Sequence, residues 1–151
     1  MSIALSLHLL AAVVWVGGMF FAYVCLRPVA ANTLEPPLRL GLWCGVFERF
    51  FKWVWLAVAL LIVSGHSMIA LYGGFSQIGP HVHIMLGIGY LMIAVFAHLF
   101  FAPYKRLKLA VTEQRWPDGA AQLTQIRKIV GFNLALGLIT VVVASGGRYL
   151  L

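Results

Sequence analysis

The chain is short of charge, above all negative charge: 4 of its 151 residues are acidic and 10% are charged of either sign, against 62% hydrophobic. That leaves too little polar surface for an ordinary globular domain in water, so the bilayer is expected to be its solvent. Glu35, Glu48, Glu113 and Asp118 all lie in or beside the charged stretches between apolar runs, so no paired carboxylates offer acid and base for hydrolysis. No nucleophile-base constellation, phosphate-binding loop, internal repeat or low-complexity segment occurs. Cys25 and Cys44 both fall toward the side read below as cytoplasmic, where thiols stay reduced, so neither a disulfide nor a metal site built from them alone is expected.

Long uncharged runs are present instead. A spanning helix needs roughly 20 apolar residues, and the intervals between charges supply four, at about residues 3–26, 53–72, 81–103 and 129–147, inside helices expected at about 3–26, 45–72, 81–103 and 122–148. The second and third are separated by Gly73, Gly74, Gly79 and Pro80, which punctuate a turn. Span two is allowed to start early, near Leu40, because Glu48 stands four residues before Lys52 in a helix-supporting order. Trp116 to Gly119 reads as a turn leading into span four. The expected fold is an all-α membrane protein, one four-helix bundle over residues 1–151 with no room for a second domain. No Lys or Arg precedes span one and its apolar run exceeds that of a signal peptide, so it is expected to stay in the mature protein.

A formal net charge of +7 would suggest a nucleic-acid partner in a soluble chain. Here the basic residues sit between spans one and two and between three and four, and they read as topology signals, with lipid as the partner and no nucleic acid. The positive-inside rule then makes both basic connections cytoplasmic and leaves both termini and the glycine turn outside, in a multi-pass protein of a bacterial-type inner membrane.

Membrane helices associate through small and polar residues. Each of three spans shows such a stripe: His8, Ala11, Ala12, Trp15, Gly18 and Ala22 in span one; His83, Gly87, Tyr90, Ala94, Ala97 and His98 in span three; Asn133, Gly137, Thr140, Ala144 and Arg148 in span four. All three are expected to face the bundle interior. Packing accounts for the small residues and leaves the histidines over.

Ionisable side chains within a membrane are costly and mark functional sites. His8 and His66 lie at matching depths, roughly 8 and 9 Å in from the outer end, with His83 and His81 close to the boundary on that side. Two imidazoles at equal depth on different helices suit haem b, with His8 and His66 the first choice of ligands, His83 the substitute for either, and Arg148 placed to pair a propionate. Such a haem would pass electrons at the outer leaflet to a redox partner the sequence does not identify, or, with one histidine, support oxidoreductase chemistry. Four short helices scarcely enclose a haem, so a homodimer is the accompanying expectation. Copper is the rival, through His81, His83, Met68 and Met85. Residues two apart on a helix point to nearly opposite faces, so of these only His81 and His83 are expected to meet, by way of the turn before span three. For His98, deeper toward the cytoplasmic side, a hydrogen bond to Asn133 is expected.

The stretch from His8 through Trp15, Gly17 and Gly18 to Phe20, with Phe47-Glu48-Arg49-Phe50 before span two, His83 and His98 in span three, and Asn133 and Gly137 in span four, resembles the CopD-like membrane proteins and their relatives, the HemJ-type protoporphyrinogen oxidases. The resemblance implies a four-helix bundle, and sets His8 in the place of the histidine associated with haem b in the HemJ-type enzymes. Its CopD side implies copper uptake or resistance, its HemJ side porphyrinogen oxidation. The HemJ-type lysine near Ile84 or Met85 is missing, and His66 with His81-x-His83 is closer to the CopD-like branch.

Overall fold

The computed structural model describes residues 1–150; the side chains of Arg148 and Leu150 lie outside the described set, so the propionate role expected of Arg148 does too. Six α-helices follow one another: α1 Ser2–Phe20, α2 Arg27–Thr33, α3 Pro36–Leu71, α4 Pro80–Phe101, α5 Pro103–Thr112 and α6 Trp116–Leu150. Four helical stretches are long and apolar enough to cross a membrane, so the chain is a four-span, multi-pass membrane protein. They alternate in direction, which puts both termini and the 72–79 connection at one end, here the terminal end, and both basic connections at the other, the basic end.

Proline sets where the helices start. All six prolines fall in the first two residues of a helix, where a missing N–H costs nothing and the fixed φ suits the turn. Trp116 to Gly119, expected as a turn, is therefore the first turn of α6, with Asp118 favourably placed near its positive end. The real turn lies just before it. Gln114 takes φ 55° there, and the Arg115 guanidinium donates to the Glu113 and Asp118 carboxylates, which hold its pKa above the ordinary arginine value. Pro28 has a similar effect upstream: it supplies no N–H to the Val24 carbonyl, and the preceding Phe21–Leu26 widens into a π-helical turn.

The expected break between spans two and three is present. Gly73 and Gly74 adopt φ 99° and 96°, and the Gly74 N–H donates to the Ile69 carbonyl at 3.0 Å, a glycine-ended helix cap. The spans outrun their sequence estimates at the basic end. At 1.5 Å per residue α3 is about 54 Å long, against a hydrocarbon core of about 30 Å, so its first turns, with Arg39, Glu48 and Arg49, stand clear of the apolar layer.

α1 packs chiefly on α3, and α4 and α5 on α6. α3 and α4 meet through long side chains rather than by close backbone approach. The core lies in the basic half, where Phe51 has ring neighbours Tyr104 at 4.9 Å, Phe47 at 5.0 Å and Phe96 at 5.3 Å. Gly18 lets α1 close on this cluster, because the Phe50 ring occupies the place a Cβ would take. We expect Gly18→Val to destabilise the bundle by about 1–3 kcal/mol, the usual cost of overpacking, read as a lower midpoint of denaturation in mixed micelles.

The inward stripes hold for α1 and in part for α6. Ala11, Trp15 and Ala22 are buried, as are Asn133 and Gly137, whereas Ala144 is exposed. The α4 stripe is turned the other way: His83, Gly87, Tyr90, Ala94 and His98 are exposed while Met92, Phe96 and Leu99 are buried. The face of α4 is chosen by Phe96, which closes the aromatic cluster against Trp15, Phe51 and Trp55, and the small residues follow to the outside.

Candidate functional site

Four of the five histidines lie toward the terminal end, and their hydrogen bonds fix the chemistry of three rings. His8 Nδ1 is 2.9 Å from Ser64 Oγ. The Ser64 hydroxyl spends its proton on the Leu60 carbonyl at 2.5 Å, so Nδ1–H of His8 must be the donor. His66 Nδ1 donates to the Ile62 carbonyl at 2.9 Å, and His83 Nδ1 to the Gly79 carbonyl at 3.2 Å. A carbonyl only accepts, so each Nδ1 carries a proton, and in the neutral ring each Nε2 keeps its lone pair. This is the state in which imidazole ligates a metal through Nε2, with the other nitrogen held by the protein.

The rings differ in what their Nε2 atoms meet. That of His66 accepts from the Tyr90 hydroxyl at 3.1 Å, which ties α3 to α4. His8 packs on the α1 side of α3, its Cε1 3.3 Å from where a Cβ on Gly65 would lie. His8 and His66 thus serve different sides of one helix. The room that Gly65 offers is taken by His8 itself.

His81 and His83 both turn back toward the start of α4 and fold onto Gly79. A Cβ on Gly79 would lie 2.8 Å from His81 Cε1, while the Gly79 carbonyl receives the His83 proton. The glycine is therefore what lets the first ring lie there. On its far side His81 abuts α6, since a Cβ on Gly147 would come within 2.7 Å of His81 Cβ. Span three was expected to open at His81, with the turn before it bringing the two rings together; both residues sit in the first helical turn, because Pro80 starts α4 ahead of them. Side chains there lean toward the helix N-terminus, and this brings both rings to one residue. Among the described residues no three His, Cys, Asp or Glu side chains gather closely enough to enclose a metal ion.

His98 is apart from these. It does not bond Asn133, whose amide donates to the Met92 carbonyl at 3.3 Å while its carbonyl oxygen is buried without a partner. His98 is six residues past Met92, on the outward face of α4, and lines an open groove against α6.

The architecture is that of a polytopic four-helix membrane protein with imidazoles at one end. A family model described as Copper resistance protein D matches residues 44–146, and the chain belongs to that family. The match takes in His66, His81, His83 and His98 and begins after α1, so the His8 motif lies outside it. No curated protein and no solved structure matches the chain.

Proposed function

We propose that this protein handles copper at the outer face of a bacterial-type inner membrane, with His81 and His83 receiving the ion as cargo. The observation that carries the reading is the folding of both imidazoles onto Gly79, with Nε2 of His83 free to ligate, inside the segment that matches a copper resistance family. Imidazole suits copper. Two imidazoles on one helical turn make a partial site, and partial sites suit an ion that must be passed on rather than locked in. The positive-inside rule supports a terminal end that faces outward, the side from which extracellular copper arrives. His66, one helix away, has its Nε2 engaged by the Tyr90 hydroxyl and stands outside this site.

The test is a copper titration of the detergent-purified protein beside its absorption spectrum after expression with haem supplied. The expected result is saturable copper binding and no Soret band. A Soret band lost in both His8→Ala and His66→Ala would instead make the protein a haem b electron carrier, with those two histidines as ligands. Absence of both signals would leave the histidines as packing residues and overturn either reading.

A further inference from the structure

The groove between α4 and α6 at the basic end, about 540 Å³ in volume, plays no part in the copper reading. Its lining is graded. His98, Gln125 and Lys128 stand at the mouth, while Ala94 and Phe132, one helical turn further along their antiparallel helices, line the part nearer the bilayer centre. Lys128 and His98 are exposed and have no hydrogen-bond or ion-pair partner among the described residues. The rest of the wall is apolar.

We propose that this groove binds one anionic phospholipid of the leaflet on the basic side, its phosphate at Lys128 and His98 and its acyl chain along Val95, Ile129 and Phe132. The polarity gradient runs in the same direction as that of a lipid, head toward the basic end and chain toward the centre. The cation at the mouth selects charge: a neutral lipid gains nothing from Lys128, whereas a lysine close to an anionic headgroup is favourable. A helix from a second copy of the chain would fill the apolar part but would bring the same Lys128 and His98 into a face already rich in positive charge.

Native mass spectrometry of the full-length protein, delipidated in detergent and mixed with phosphatidylglycerol or phosphatidylcholine of the same chains, tests this. We expect one phosphatidylglycerol to be retained about tenfold better than phosphatidylcholine, and Lys128→Gln to reduce that retention about fivefold. Phe132→Ser should lower retention of both lipids. Arg39→Gln, which removes the same charge from the other basic connection, should change nothing, and circular dichroism verifies that every variant is folded. Equal retention of the two lipids, an equal loss in Arg39→Gln, or a dimer that carries no lipid would each overturn the proposal.

Discussion

Replacing His81 and His83 together with alanine is expected to abolish saturable copper binding, with an affinity loss of about 100-fold or more. Losing only the group that supports a ligand typically costs 10- to 100-fold, and here the ligands themselves go. His66→Ala should leave the titration within about threefold of wild type, because its Nε2 is engaged by Tyr90 and lies on another helix. Gly79→Ala is the sharper variant. It removes no ligand atom, yet its Cβ would sit 2.8 Å from His81 Cε1, so the ring must move while His83 keeps its carbonyl. A loss of about tenfold is expected there, in the range for a displaced supporting contact. Isothermal titration with copper, or competition against a chromogenic chelator, reads all three. Full affinity in the double variant would sink the assignment of His81 and His83, whereas a loss confined to His66→Ala would move the site to the contact between α3 and α4.

The spans, the glycine turn and the inward face of α1 were legible in the sequence because each rests on a one-dimensional signal: distance between charges, paired glycines, small residues at helical spacing. The outward face of α4 was not. In lipid an exposed small-residue face costs little by itself, so His83, Gly87, Tyr90, Ala94 and His98 could not declare their side; Phe96 decided it through partners on α1 and α3 that lie far off in the chain. The helical connections were readable but misread. The turn expected at Trp116 to Gly119 is the case in point, since the pattern Trp116-Pro117-Asp118 is an ordinary helix start, with proline in the first turn and an acid near the helix N-terminus. At the site, the clustering of histidines at one end was visible from depth alone. That His81 and His83 share Gly79, and that His98 and Asn133 do not meet, depended on side-chain direction at the start of α4 and on the rotation of its outward face, which spacing does not supply.

Stability should hinge on the aromatic cluster rather than on the histidine end. Phe51 is 3% exposed and contacts rings from its own helix, from α4 and from α5, with Phe47 stacked on it at an interplanar angle of 4° and Tyr104 edge-on at 86°. Because α3 and α4 are joined here through side chains, removing this ring takes out the centre of the seam and leaves it to the flanking contacts of Trp55 with Phe96 and Phe100. Phe51→Ala is expected to lower stability by about 3 kcal/mol, the lower end of the range for truncating a buried aromatic. The lower end applies because lipid is as apolar as the core, leaving lost packing as the main cost. Phe51→Leu, which refills part of the space without the stacked face, should recover about half of that loss. Denaturation in mixed micelles, followed by helical signal, measures both. His83→Ala in the same assay should fall within about 0.5 kcal/mol of wild type, as exposed positions usually do, since its ring is exposed and bonded within its own helix. If Phe51→Ala proved as benign as His83→Ala, the bundle would have to be held chiefly by its α1–α3 and α4–α6 helix pairs, each stable without the aromatic bridge.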